Sequence, residues 1–245
     1  MSSLLRLLAG LVCIGLLVLL MVPVLVLLLP WRVRRIRVTN AFGSLIGRSV
    51  MWCSGCHVTV SGQEHARADR PAIYACNHTS ILDAFTTIWL TPRGTVGVAK
   101  REVIYYPFYG QAWWLAGHVF LDRARTEGAK AALLRTAEFL HREQLSVCIL
   151  PEGTRSDSGR LLPFKKGIIH LALETRLPIV PMVTMGLERV WKRGTLRLTP
   201  ADVKIVFLPP IPTDGWTEDH IDEHVAELRA AFLRVLPPSQ QSGGP

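Results

Sequence analysis

Asn77-His78-Thr79-Ser80-Ile81-Leu82-Asp83 places an imidazole, two hydroxyls and a carboxylate within one short stretch. Those are the parts of a general base. Histidine has an ordinary pKa of ~6.5, so small shifts leave it neutral and basic near pH 7. A carboxylate bonded to one ring nitrogen fixes the tautomer and leaves the other nitrogen to take a proton. A spacing of five does not put His78 and Asp83 on one face of a regular helix. They meet only if His78 lies in a turn and Asp83 in the first turn of the helix that follows. Read alone, the same pattern also describes a surface or capping histidine.

The chain has no G-x-S-x-G elbow for a serine nucleophile. Cys76 lies close by, but inside an expected strand, where successive side chains alternate between faces. A base that takes the proton of a substrate hydroxyl directly needs no protein nucleophile, and that scheme fits the residues at hand.

A second constellation is Leu150-Pro151-Glu152-Gly153-Thr154-Arg155-Ser156, followed by Phe164-Lys165-Lys166-Gly167. Gly153 opens backbone conformations closed to other residues. Arg155 offers a planar fork of donors that matches phosphate. The segment is not a Walker loop, because G-x-x-x-x-G-K-[ST] is missing. Taken alone it also reads as an ordinary strand–turn–helix connection. Cys53-Ser54-Gly55-Cys56-His57 matches the C-x-x-C-H haem-attachment pattern, an isolated match that we read as coincidence.

The elements needed to position these residues can be traced. Short apolar runs at 72–76, 96–99, 118–121, 146–150, 179–184 and 203–208 read as strands. Helical patterns cover 80–89, 127–143, 166–175 and 218–235. The strands are continuously apolar rather than alternating, so both faces of the sheet should be covered. The alternation of strand and helix predicts an α/β fold with a mainly parallel sheet flanked by helices. Both constellations follow a strand directly, where active sites of such sheets gather.

Ahead of this domain, Leu7–Leu29 contains no charged residue over 23 positions. At ~1.5 Å per residue it spans ~34 Å, enough for a hydrocarbon core of ~30 Å. The run is too long for the apolar region of a signal peptide and lacks a cleavage site. Arg32, Arg34, Arg35 and Arg37 follow it and only Arg6 precedes it, so the positive-inside rule places the catalytic part in the cytoplasm. The organisation expected is a membrane anchor at 1–38, an interfacial helix and linker at 39–70, a catalytic domain at 71–236 and a disordered tail at 237–245. An odd count of five cysteines, in a chain whose main part is expected in the cytoplasm, argues against a disulfide framework. The charge of +9 suits an anionic partner, either an acidic membrane surface or a phosphorylated substrate.

The motifs together are identifiable. Asn-His-x-x-x-x-Asp at 77–83 with Pro-Glu-Gly-Thr-Arg-Ser at 151–156 resembles the glycerolipid acyltransferases, above all those acting on 1-acyl-sn-glycerol 3-phosphate. Gly117-His118-Val119-Phe120-Leu121-Asp122-Arg123 resembles a second family block and Leu177-Pro178-Ile179-Val180-Pro181-Met182 a fourth, all in order between about 70 and 210. His118 and Leu150 depart from the usual residues. The resemblance implies that His78 is the base and Asp83 its orienting partner. It implies that Arg123, Glu152, Gly153, Thr154 and Arg155 form the acceptor's headgroup site. It further implies an acyl thioester on coenzyme A or acyl carrier protein as co-substrate, with no metal or bound cofactor, no nucleic acid, and lysophospholipid and membrane lipid as partners. The reaction expected is acylation of the sn-2 hydroxyl to form phosphatidic acid, at the cytoplasmic face of the cell (inner) membrane. Another lysolipid, such as lyso-ornithine lipid, is the alternative acceptor. Phe108, Trp113, Trp114 and Leu115 are candidates to line an acyl groove.

Overall fold

The computed structural model describes residues 2–105, 109–121, 126–192 and 194–241. Among them, seven strands form one sheet in the order β1-β7-β6-β2-β5-β3-β4. The strands are β1 (His57–Ser61), β2 (Ile73–Cys76), β3 (Thr95–Lys100), β4 (Val119–Leu121), β5 (Ser146–Ile149), β6 (Ile179–Met185) and β7 (Asp202–Phe207). All neighbouring pairs are parallel except β6–β7. The α/β reading of the sequence therefore holds.

β2 shows why its run is apolar throughout. Ile73 and Ala75 belong to one buried cluster, with Leu140, Ile169 and Phe232. Tyr74 and Cys76 belong to the other, with Ile46, Met51, Leu82 and Leu187. The first layer comes from helices α5 (Thr126–Glu143), α6 (Gly167–Thr175) and α8 (Ile221–Leu233). The second comes from α1 (Ser3–Leu27), α2 (Arg32–Cys53), α3 (Asp83–Leu90) and the short α7 (Leu187–Val190), while α4 (Tyr109–Ala116) precedes β4.

The N-terminal region departs from expectation in two places. The second helix starts at Arg32, so it runs through the expected boundary at 38/39. His57–Ser61, expected in the linker, pairs with β7 as an edge strand of the sheet. Its alternating exposure gives no continuous apolar run to detect. At the other end, residues 237–241 are docked and not loose. Leu161 N–H donates to Gln240 O (2.8 Å), and the Gln241 amide donates to Leu233 O and Leu236 O.

α2 is fastened to the catalytic domain along its length. Asn40 is buried; its Nδ2 donates to Thr95 O (3.0 Å) and its Oδ1 accepts from the Gly94 and Thr95 amides. Gly47 lies so close to α3 that a Cβ there would collide with Phe85 O and Trp89 Cβ. α1 packs antiparallel on α2, with Gly10 near Cys53 and Arg6 at Gly55. Its other face is exposed and apolar: Leu11, Leu16, Leu19, Leu20 and Leu27 all face outward.

Candidate active site

β2 ends at Cys76 and the chain turns through 77–82 before α3 begins at Asp83. Asn77 fixes the start of that turn. Its Oδ1 accepts from Thr184 N–H (2.7 Å) and its Nδ2 donates to Thr184 O (2.8 Å), extending the β2–β6 ladder through a side chain. The geometry demanded by the five-residue spacing then follows: His78 lies in the turn and Asp83 in the first turn of the helix.

The two side chains meet. Asp83 Oδ2 lies 3.0 Å from His78 Nδ1 and also accepts from the amides of Thr79 (2.6 Å) and Ser80 (2.7 Å). One carboxylate oxygen thus caps the turn and holds the imidazole. The Asp83 side chain is 1% exposed and that of His78 20%, so the carboxylate is shielded while the ring reaches solvent. With Nδ1 facing an acceptor, the tautomer consistent with this geometry carries its proton there and leaves Nε2 as the basic nitrogen. Cys76 is fully buried, 3.7 Å from Cys148 Sγ and 3.5 Å from Met182 Sδ, which removes it from consideration as a nucleophile.

The second constellation follows β5 and abuts the first. Glu152 is 1% exposed. Its Oε1 accepts from His78 N–H (2.6 Å) and its Oε2 from Leu162 N–H (2.9 Å). Ser156 N–H donates to His78 O (2.9 Å). Both backbone polar groups of His78 are therefore held by the 151–156 turn. Burial pushes the Glu152 carboxyl up to about 7; the two amide donors oppose that and the Asp83 charge adds to it.

Glu152, expected at the headgroup site, has both oxygens engaged by backbone amides, one of them that of His78. Gly153 has φ +74°, which explains the glycine, and its N–H donates to Leu150 O (3.1 Å). Thr154 is exposed and Arg155 half-buried. Among the described residues the Arg155 guanidinium makes no hydrogen bond or ion pair, and it is available to an anion, one residue from Ser156, whose N–H meets His78 O. Lys166 is tied to Asp222 (2.7 Å). Arg123 and Phe108 lie outside the described residues. β4, which leads toward Arg123, runs parallel to β3, so its carboxyl end shares the edge of the sheet that carries His78.

Trp113 packs its ring over Gly97 and against His118, whose Nδ1 accepts from Gly97 N–H (3.2 Å). Burial, with Arg32 nearby, lowers the His118 pKa to about 4, so this histidine is a neutral packing residue. In the C-x-x-C-H stretch, Cys53 meets Cys13 Sγ at 4.0 Å and His57 opens β1.

The amino end of α1 reaches the same edge of the sheet. Leu198 N–H donates to Ser3 Oγ (2.7 Å), Leu198 bridges to Trp191, and Ser80 Oγ donates to Trp191 O (3.2 Å). A chain of contacts thus runs from the first turn of α1 to the turn that holds His78.

A family model described as Acyltransferase matches residues 57–185. The 1-acyl-sn-glycerol-3-phosphate acyltransferase of Limnanthes alba is 46% identical over 90% of this chain and 78% of its own length. That of Cocos nucifera is 44% identical over 89% of this chain and 70% of its own length. The human 1-acyl-sn-glycerol-3-phosphate acyltransferase alpha is 34% identical over 76% of this chain and 66% of its own length. Among solved structures, the 1-acyl-sn-glycerophosphate acyltransferase PlsC of Thermotoga maritima superposes with a TM-score of 0.65 over 81% of this chain and 80% of that one, at 21% identity.

Proposed function

Because the chain belongs to the acyltransferase family, we infer that it transfers an acyl group to the sn-2 hydroxyl of 1-acyl-sn-glycerol 3-phosphate, forming phosphatidic acid in phospholipid biosynthesis. The observation that carries this reading is the His78–Asp83 pair at 3.0 Å, in a chain 46% identical to an enzyme named for that substrate.

The reaction needs few groups. His78 Nε2 takes the proton of the acceptor hydroxyl as its oxygen attacks the thioester carbonyl. The C–S bond breaks as the tetrahedral intermediate collapses, and the departing sulfur takes the proton from the imidazolium. Asp83 holds the ring in the required tautomer and stabilises its protonated form. Arg155, together with Arg123, would bind the acceptor phosphate through charge-assisted and bidentate hydrogen bonds. Gly153 and Thr154 shape that side of the site, and Glu152 positions His78. The donor is an acyl thioester on coenzyme A or acyl carrier protein, with no metal or bound cofactor.

A membrane seat follows from the substrate and from α1. The helix is long and apolar enough to cross a bilayer, and most of it is not buried in the protein. Both its ends rest on the catalytic domain: Ser3 at Leu198, and the residues after Leu27 beside Gly117 through Arg32. That arrangement favours a hairpin of α1 and α2 seated along the membrane, presenting the active-site edge to lipid. The seat proposed is the cytoplasmic face of the cell membrane. A cysteine placed at the exposed Ser239 should be protected from an impermeant thiol reagent in sealed cells; labelling there would reverse the orientation.

Acyl transfer to a panel of lysolipids tests the acceptor. Lysophosphatidate should be preferred. Preference for lyso-ornithine lipid would replace the acceptor while leaving the acyltransferase class intact.

A further inference from the structure

The edge of the sheet opposite His78 carries a concentration of positive charge for which the acyl-transfer reaction has no use. α2 begins with Arg32, Arg34, Arg35 and Arg37, has no acidic residue in its first turn, and its N-cap Trp31 makes no capping hydrogen bond. Arginines are misplaced there, because the amino end of a helix is itself positive. Arg142, at the end of α5, joins them. The guanidiniums of Arg32 and Arg142 lie 4.0 Å and 5.9 Å from the centre of the same Phe139 ring. Like charges are gathered, not dispersed.

Two cavities open on this cluster. One, of about 510 Å³, is lined by Trp31, Arg32, Arg34, Arg37, Phe139 and Arg142. Glu143 also borders it but is already paired with Arg142 at 2.9 Å. The other, of about 390 Å³, is lined by Leu29, Arg32, Arg35, Trp114 and His118. Among the described residues none of Arg32, Arg34, Arg35 and Arg37 has a carboxylate partner. Arg35 is held by Leu115 O through Nη1, while its Nε is buried with no hydrogen-bond partner. Burial and the charges of Arg35 and Arg142 lower the pKa of Arg32, the electrostatic signature of a cation group missing its counter-charge.

The position is fixed by the strands. Arg32 Nε donates to Gly117 O (2.9 Å), just before β4, and Phe139 and Arg142 precede β5. Those are the amino ends of strands whose carboxyl ends face His78. The cluster also sits at the α1–α2 turn, where Val26, Leu27, Leu29 and Trp31 are exposed. An anion bound there would have an apolar helix face beside it, which is what a lipid requires and a soluble anion does not.

We propose that the arginine-lined cavities at the α1–α2 turn form a headgroup site for an anionic phospholipid, separate from the active site, with the lipid's acyl chains lying against α1. A phosphodiester in the larger cavity would be held by Arg34, Arg37 and Arg142. The site holds the far end of the hairpin to anionic membrane, while the near end presents the catalytic turn. The proposal does not rest on the acyl-transfer reading.

The test uses the full chain in micelles of a neutral detergent, with fluorescent dioctanoyl phosphatidylglycerol followed by anisotropy. Dioctanoyl phosphatidylcholine and inorganic phosphate serve as competitors. The variant Arg34→Gln/Arg37→Gln/Arg142→Gln spares Arg32 and Arg35, which hold backbone carbonyls, and an unchanged Tm shows that it folds. It should bind the probe about 10- to 100-fold more weakly, from the loss of three charges near a lipid phosphate. Arg155→Gln and His78→Ala should bind it as the wild type does, which separates failure of this site from failure of the catalytic reading. Undiminished binding by the triple variant, or loss of binding in Arg155→Gln, would place the lipid elsewhere and overturn the proposal. Equal competition by phosphatidylcholine would overturn the charge recognition. Competition by inorganic phosphate at the same concentration as lipid would reduce the feature to a plain anion site.

Discussion

The turn after β2 and the turn after β5 are built alike and do different work. Each follows a buried central strand, and each carries one buried carboxylate that accepts backbone amides, Asp83 through Oδ2 alone and Glu152 through both oxygens. Asp83 turns its oxygen on its own turn and on the His78 ring. Glu152 reaches across to the neighbouring turn and holds the His78 backbone, helped by Ser156. One carboxylate governs the protonation chemistry of the imidazole and the other governs where the imidazole stands. Two acidic residues in equivalent places therefore have separable signatures.

Exchanging Asp83 for asparagine should give the larger loss. The amide cannot stabilise the protonated ring and can favour the wrong tautomer, so kcat should fall by roughly 10³- to 10⁴-fold with little change in Tm. A variant retaining a tenth of wild-type turnover would mean that Asp83 only caps the turn. Glu152→Gln keeps one acceptor and presents an N–H to the other amide. It should cost a smaller factor, about 10-fold in kcat, together with a clear drop in Tm. If its loss matched that of Asp83→Asn with Tm unchanged, Glu152 would be acting on the chemistry and the contrast would fail.

Stability against pH sharpens the same contrast. The Glu152 carboxyl is raised from 4.5 to about 7, chiefly by burial. The folded state then binds more protons than the unfolded one between those values, so stability falls as pH rises from about 4.5 to about 7 and is flat beyond. The contribution is on the order of 3 kcal/mol if the shift is fully expressed. Chemical denaturation at several pH values should show this slope in the wild type and lose it in Glu152→Gln. A slope that survives the substitution assigns it to another group.

Arg155 carries a smaller prediction. Lysine keeps the charge but not the planar fork, so Arg155→Lys should raise the KM for lysophosphatidate roughly 10-fold and hardly affect the donor. Equal effects on lysophosphatidate and lyso-ornithine lipid would show that the arginine does not read phosphate.

The two turns also differ in how much of them could be read from sequence. The His78–Asp83 pair was legible through the family motif; its spacing, a turn and then the first residues of a helix, also fitted a capping histidine. The role of Glu152 was not, since nothing in Pro-Glu-Gly says which distant amide a carboxylate will meet. The available hint was a charged residue beside a continuously apolar strand, where an exposed carboxylate is out of place. Most strands of the sheet were legible from continuous apolar runs. β1 was missed because an edge strand alternates His57, Val58, Thr59, Val60 and Ser61. The start of α2 was missed because four arginines at a helix amino end contradict local preference, and only Asn40 and Gly47 in their tertiary contacts explain why the helix forms there.

The account stands on His78 as the base for acyl transfer to lysophosphatidate. A single-turnover assay with labelled acyl thioester and lysophosphatidate, comparing the wild type with His78→Ala across pH, addresses that most directly. The account predicts labelled phosphatidate from the wild type and a loss of ~10²- to 10⁴-fold in His78→Ala with its fold intact. Transfer by His78→Ala at a comparable rate, with the same pH profile, would contradict it.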